Sequence, residues 1–349
     1  MTRHTLRQFM HAPLISLGLA FTALTSSSVA FSAFEHSTLQ ISQAQQTLNQ
    51  HIQQERIRAG LSSKSVQIGD ITWHYNEGGN VNKPSILLIH GLTGNRDQWN
   101  RVAQFLTPYY HVVVPDLPGN GDTKISENFD ISVPNVSSQL RLFAEYLGIH
   151  EHMHLPGHSF GGSIATVYAS QYPFDTQSLF LLNSAGIYRH ANTPYSKDLS
   201  NLQQLVVSRP GELDHVLNQL MQKPPHLPFR VKYAVEQILI SKSKQSKKLI
   251  EQLVNLNRIY TPDSFARLTR TVEAPTLILW GKQDKIINVE VANELQSLLK
   301  RAETPVILNN VGHMPILEAD QQVAKHYLPF LAKTQHLKNP LADQLIPLN

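Results

Sequence analysis

Read by its apolar and polar positions, the chain changes character at Gly60. Before it, Thr38 to Arg58 is Gln-rich and free of Gly and Pro, with Leu39, Ile41, Leu48, Ile52 and Ile57 spaced loosely like one face of a helix. This predicts an amphipathic lead-in helix within residues 31–60, its apolar stripe either packed on the rest of the protein or set against a membrane surface or lid. After Gly60, Ser65 to Ile68 and Ile71 to Tyr75 read as a hairpin across Gly69-Asp70. Six short apolar runs follow: Ile86 to Ile89, Val112 to Pro115, His152 to Leu155, Leu179 to Leu182, Thr276 to Leu279 and Pro305 to Leu308. Continuous apolar character over so few residues fits parallel strands buried on both faces. Helical stretches alternate with them over Gln98 to Leu106, Val136 to Leu147, Gly161 to Gln171 and Val289 to Lys300. A βαβ series of this kind predicts an α/β fold with a mostly parallel, doubly wound sheet.

One interval breaks the rhythm. Residues 187–271 carry helical but no strand signals, and a connection that long inside a compact sheet must form a layer of its own. A helical cap insertion is therefore expected there, dividing the α/β core into 61–186 and 272–335, with 336–349 as a C-terminal tail.

The chain of 349 residues is 41% apolar and 16% charged, as a folded globular protein is. Its net charge is only +4, and no run of Lys and Arg alternates with aromatics, which argues against a nucleic-acid partner. The insertion alone holds 13 Lys and Arg against 6 Asp and Glu, a net of +7. Much of this charge lies in Lys242-Ser243-Lys244-Gln245-Ser246-Lys247-Lys248, which reads as a solvated helix face or, alternatively, as a site of attraction to anionic lipids. At the N-terminus, Arg3 and Arg7 precede the apolar stretch Ala12 to Leu24 and the small-residue run Ser26 to Ala30. That order predicts an export signal over residues 1–30, cleaved after Ala30 or Ala33, since a helix of about 20 Å falls short of the ~30 Å bilayer core. A retained N-terminal anchor is the alternative. With no cysteine, disulfides, thiolate catalysis and Cys-ligated metals are excluded.

Candidate chemistry concentrates at strand ends. Gly157-His158-Ser159-Phe160-Gly161 is a G-x-S-x-G pentapeptide, which roughly one chain in ten of this length would contain by chance. Its setting between a predicted strand and a predicted helix gives it weight, because a sharp strand-to-helix turn needs small flanking residues and lifts the serine hydroxyl off the sheet edge. A serine hydroxyl attacks poorly unless a histidine takes its proton and a carboxylate orients that histidine. His313 follows the last predicted strand in Val311-Gly312-His313-Met314, and Asp284 follows the preceding one in Gly281-Lys282-Gln283-Asp284. An oxyanion needs backbone N–H donors. Phe160, after the serine, supplies one, and the loop His90-Gly91-Leu92-Thr93-Gly94 supplies the other, from Leu92 with Thr93 as the rival.

Other conspicuous groups read as structural. Asp116 to Asp122 is a Gly/Pro loop that shapes a turn, Trp99 and Trp280 belong to the core, and His150, His152 and His154 precede a buried strand rather than forming a metal site. No metal and no cofactor is expected; no dinucleotide fingerprint is present.

On His90-Gly91, Trp99, Asp116-Leu117-Pro118-Gly119, the elbow Gly157 to Gly162, Trp280 to Asp284 and Gly312-His313, the chain resembles the α/β-hydrolase superfamily, and within it the bacterial lipases and monoacylglycerol-lipase-like serine ester hydrolases. The resemblance spans about Val66 to Lys333. It implies a catalytic triad of Ser159, Asp284 and His313 and hydrolysis of an ester or lipid substrate, with Leu227, Phe229, Val231, Tyr233, Val235, Ile238 and Leu239 of the insertion burying acyl chains. Peripheral membrane contact would come through the lead-in helix or the basic insertion. A Ser rather than Asp at 159 excludes the epoxide and haloalkane branches; a C–C bond hydrolase and a non-catalytic binding homologue are the alternatives. Pro156, in the strand entering the elbow, departs from the β-branched residue commoner there and removes a ladder donor.

Overall fold

The computed structural model describes residues 25–256 and 260–335, with side chains over 42–255 and 260–335. The proposed leader up to Leu24 and the tail 336–349 lie outside the described residues. Helix α1 covers Thr25–Arg58, starting earlier than the apolar spacing predicts; residues 25–37 hold no Gly or Pro to stop a helix. Both proposed cleavage points fall within α1. Among the described residues no helix is long and apolar enough to cross a membrane.

Strands β1 (Leu61–Ile68) and β2 (Ile71–Gly78) form the expected antiparallel hairpin, turning on Gly69 in the left-handed region. The chain continues through β3 (Ser85–Leu87), a 3₁₀ turn (Arg96–Trp99), α2 (Asn100–Leu106), β4 (His111–Pro115), α3 (Val133–Tyr146), β5 (Met153–His158), α4 (Phe160–Gln171) and β6 (Thr176–Leu182). The interval that follows holds α5 (Pro194–Lys197), a 3₁₀ turn (Leu199–Leu205), α6 (Leu213–Leu220), α7 (Phe229–Leu256) and α8 (Pro262–Thr269), and no strand among the described residues. Then come β7 (Thr276–Gly281), α9 (Glu290–Leu298), β8 (Val306–Leu308), α10 (Pro315–Glu318) and α11 (Asp320–Thr334). The eight strands form one sheet in the order β1-β2-β4-β3-β5-β6-β7-β8, with β2 antiparallel to both its neighbours and every other pair parallel.

The apolar runs are continuous because both faces of the sheet are covered. Ile86, Leu88, Val112, Val114, Phe180 and Leu279 pack with Trp99, Leu106, Tyr327 and Leu331 on one side. The alternate residues Leu87, Ile89, Val113, Leu181 and Ile278 pack with Leu140, Phe143, Ile164, Tyr168 and Leu295 on the other. Trp280 and Trp99 are both fully buried, as core residues.

Strand β5 runs through Pro156 to His158, beyond the expected end at Leu155. The missing N–H is tolerated because β3–β5 pairing is interrupted there: Ile86 pairs with His154, and contact resumes with Ile89 opposite Gly157. The Pro156 carbonyl is still used, accepting from the Ile89 N–H at 2.9 Å.

Helix α1 lies against α7, with Ala44 and Leu48 on Ala234 and Ile52, Val231, Tyr233, Val235 and Ile238 around them. Ile57, placed on the same face by sequence, is exposed. The end of α1 is pinned by Arg56, whose Nε and guanidinium NH2 donate to both Asp97 oxygens at 2.6 Å. Burial pushes the Asp97 carboxyl up, yet Arg56, Asn76 and Asn100 outweigh this and leave it below the usual carboxylate range.

Candidate active site

The elbow residue Ser159 sits between β5 and α4 with φ 53° and ψ −122°, a strained conformation that L-residues rarely adopt. The neighbouring glycines permit it. A Cβ on Gly157 would lie 2.3 Å from the Gly161 carbonyl oxygen, and one on Gly161 would lie 2.4 Å from that of Ile89 and 2.5 Å from that of His90. The loop after β3 also comes up against the serine, since a Cβ on Gly91 would be 3.2 Å from Ser159 Cβ.

His313 and Asp284 both arrive from strand C-terminal ends, as the sequence order requires. His313 Nε2 lies 2.9 Å from Ser159 Oγ, and its Nδ1 lies 2.8 Å from Asp284 Oδ2. The imidazole and the carboxylate are buried, while Ser159 is half-buried. Asp284 uses its whole acceptor capacity. Oδ1 accepts from the N–H groups of Ile286 at 2.8 Å and Ile287 at 3.0 Å, and Oδ2 accepts from Asn183 Nδ2 at 2.7 Å besides the imidazole. With the carboxylate as acceptor, the proton of the neutral imidazole is placed on Nδ1 and the Nε2 lone pair faces the serine hydroxyl.

The two expected donor positions flank this group. Phe160 is the first residue of α4, so its N–H has no partner within the helix. Leu92 follows Gly91 and is half-buried; Thr93 is exposed with φ 58°, and the Gly94 N–H closes the turn onto the Gly91 carbonyl at 3.1 Å.

Sequence reasoning missed several supporting residues. Asn183, at the end of β6 with φ 42°, holds Asp284 Oδ2 and also donates to the Gly312 carbonyl at 3.2 Å, while its Oδ1 accepts from the Gly281 N–H at 3.2 Å. Its place immediately after an apolar strand was the available signal. His158 donates through Nε2 to the His313 carbonyl at 2.7 Å. Burial, with His313 nearby, pushes its pKa down to about 3, so it is a neutral donor. His90 is also buried and lowered by burial; its Nδ1 donates to the Gly91 carbonyl at 2.7 Å and its Nε2 accepts the Leu117 N–H at 3.0 Å, which fixes the loop beside the serine. Asp116 shapes a turn: it is buried, accepts the Arg96 and Asp122 N–H groups at 2.7 and 2.8 Å, and pairs with the Arg96 guanidinium.

One expectation for the insertion changes. Val231, Tyr233, Val235 and Ile238 pack against α1, and Val235 and Leu239 pack with Val207, Leu213 and Val216, while Phe229 is 82% exposed. These residues cover a helix and one another rather than a ligand space. Insertion side chains that join the cluster containing Ile286 and Ile287 instead include Tyr188, Tyr195, Leu202, Leu205, Leu220 and Phe265. The lysine run is a solvated helix face, with Lys242, Lys244 and Lys248 exposed; Lys242 and Lys248 also donate to the Gly121 and Glu127 carbonyls at 2.8 and 3.3 Å.

Comparison with known proteins agrees with this architecture. Residues 84–320 match the family model described as alpha/beta hydrolase fold. The chain is 32% identical over 316 residues to Lipase 1 of Psychrobacter immobilis, which covers 89% of this chain and 96% of that one. It is 30% identical over 266 residues to the monoacylglycerol lipase ABHD6 of Mus musculus, covering 74% and 78% of the two chains. A crystal structure from Acinetobacter baumannii AYE, assigned as a lipase, superposes with a TM-score of 0.81 at 58% identity over 83% of this chain and 97% of its own. Sheet order, elbow and family match converge, and the chain belongs to the α/β-hydrolase family.

Proposed function

We propose that the protein hydrolyses carboxylic esters of lipid-like substrates through an acyl-enzyme on Ser159. The observation that carries this reading is the imidazole of His313 bridging Ser159 Oγ and Asp284 Oδ2 at 2.9 and 2.8 Å. His313 Nε2 takes the hydroxyl proton as Oγ bonds to the ester carbonyl carbon, and the carbonyl π electrons move onto oxygen. The N–H groups of Phe160 and Leu92 receive the oxyanion. As the tetrahedral intermediate collapses, the alkoxy bond breaks and protonated His313 returns its proton to the departing alcohol. Water then repeats the sequence on the acyl-enzyme, releasing the acid and restoring Ser159. Asp284 keeps the imidazole in the productive tautomer and stabilises the imidazolium.

The likeness to named lipases and to a monoacylglycerol lipase supports a lipid ester as substrate. Residues 187–271 act as a cap in this reading. The Leu220 carbonyl accepts the His313 N–H at 2.8 Å, and the Leu220 side chain packs in one cluster with Phe160, Ile286 and Ile287, an apolar setting suited to an acyl chain. The enzyme is exported, through the leader at residues 1–30, and is periplasmic, secreted or membrane-associated. Peripheral membrane contact belongs to the same proposal: exposed Phe229 beside exposed Arg230 supplies an apolar and a cationic group for a lipid surface.

Chain-length profiling tests the substrate class. With p-nitrophenyl esters from acetate to palmitate and with emulsified acylglycerols, the expected result is a preference for medium or long chains and activity on the emulsion. Hydrolysis restricted to acetate, with none on emulsions, would make the protein a simple esterase instead.

A further inference from the structure

Glu318 ends α10, and its side chain accepts four backbone N–H groups from two separate segments. Oε1 takes those of Gly312 at 3.0 Å and Met314 at 3.4 Å, the two chain neighbours of His313. Oε2 takes those of Gln222 at 2.8 Å and Lys223 at 3.1 Å, just beyond α6 in the insertion. The N–H of His313 itself goes to the Leu220 carbonyl at 2.8 Å. All three consecutive amides of the histidine loop are therefore given either to the insertion or to the carboxylate that holds it. The carbonyls face the other way, Gly312 to Asn183 Nδ2 at 3.2 Å and His313 to His158 Nε2 at 2.7 Å. The sheet side thus holds the loop by its oxygens, and the insertion holds it by its nitrogens, directly at His313 and through Glu318 at Gly312 and Met314. Contact between loop and insertion is close enough that a Cβ on Gly312 would lie 2.8 Å from the Gln222 nitrogen and 3.0 Å from the Leu220 carbonyl oxygen.

We propose that Glu318 is a positioning residue which makes the seating of His313 depend on the docked segment Leu220 to Lys223, so that displacement of the cap and misalignment of the base are one event. This rests on the functional reading above. An ionised carboxylate offers about four acceptor sites and no donor, so one side chain can join two N–H pairs that would otherwise face each other. Glu318 touches none of the reacting atoms; it acts through the backbone on either side of the imidazole. Because near-attack geometry is sensitive to displacements of about 1 Å, loosening this joint acts on turnover rather than on substrate affinity.

The test compares Glu318→Gln, Lys223→Pro and the double variant with the wild type on a soluble p-nitrophenyl butyrate assay. A Gln amide turns an NH2 toward one of the two N–H pairs, and Pro at 223 deletes an insertion-side donor without altering Glu318 or His313. For Glu318→Gln the expected result is a fall in kcat of about 10- to 100-fold with KM nearly unchanged. Labelling of Ser159 by a fluorophosphonate slows by the same factor, and thermal unfolding shifts little. Lys223→Pro lowers kcat in the same manner, and the double variant is no slower than Glu318→Gln alone, because both changes break one joint. Wild-type kcat in Lys223→Pro, or effects that multiply in the double variant, would overturn the proposal. Should Glu318→Gln fail to fold, Lys223→Pro decides alone. Failure of the wild type to hydrolyse any ester would instead overturn the functional reading, so the two outcomes are separable.

Discussion

Replacing Asp284 with Asn is expected to lower ester hydrolysis by about 10⁴-fold while leaving the protein folded. The reason lies in the donor count around this side chain. Asp284 faces four donors: the Ile286 and Ile287 amides, Asn183 Nδ2 and His313 Nδ1. An Asn can keep its oxygen toward the two amides only by turning its NH2 toward Asn183 and the imidazole. His313 Nδ1 then becomes the acceptor, its proton moves to Nε2, and the lone pair that should receive the Ser159 proton is gone. The volume is unchanged, so the cost falls on kcat more than on the fold. Steady-state kinetics with p-nitrophenyl butyrate, set beside thermal unfolding, would check this. A variant within about tenfold of wild-type kcat would mean that Asp284 does not orient the base.

Gly161→Ala should act strongly on the fold itself. Its new methyl would lie within 2.4–2.5 Å of the Ile89 and His90 carbonyl oxygens, both backbone atoms at the end of the β3 segment. Relief requires moving the elbow away from the loop that carries Leu92, which disrupts the core and the site together. Overpacking against backbone is expected to cost about 3 kcal/mol or more. Gly148→Ala is the control. Gly148 has a positive φ of 68° but nothing within 4 Å of an added Cβ, so only the left-handed backbone cost of about 1–2 kcal/mol applies. Urea unfolding of the two variants should rank Gly161→Ala well below Gly148→Ala; equal stabilities would show that the elbow has slack absent from this packing.

The sheet was legible because its central strands are covered on both faces, which turns their sequences into short uninterrupted apolar runs such as Ile86 to Ile89 and Leu179 to Leu182. The juxtaposition of Ser159, Asp284 and His313 was legible for a different reason: each lies within a few residues of the C-terminal end of such a run, so their approach was implied by parallel strands sharing one edge. What the sequence hid are partnerships between distant segments. Asn183 meets Asp284 across 101 residues, and Glu318 meets Gln222 across 96; the place of Asn183 after a strand marks the residue, but no local periodicity marks either partnership. The apolar face of α7 was misread for a related reason. Amphipathic spacing shows that a face is covered but not by what, and here the cover is α1 rather than a ligand.

In the proposed reaction one activated hydroxyl, at residue 159, performs the chemistry. Treating the wild-type protein with a fluorophosphonate and mapping the adduct by peptide mass spectrometry tests it most directly. A single adduct on Ser159 that abolishes ester hydrolysis is expected, with neither labelling nor turnover in Ser159→Ala. Modification at another residue, or undiminished hydrolysis by Ser159→Ala, would contradict it.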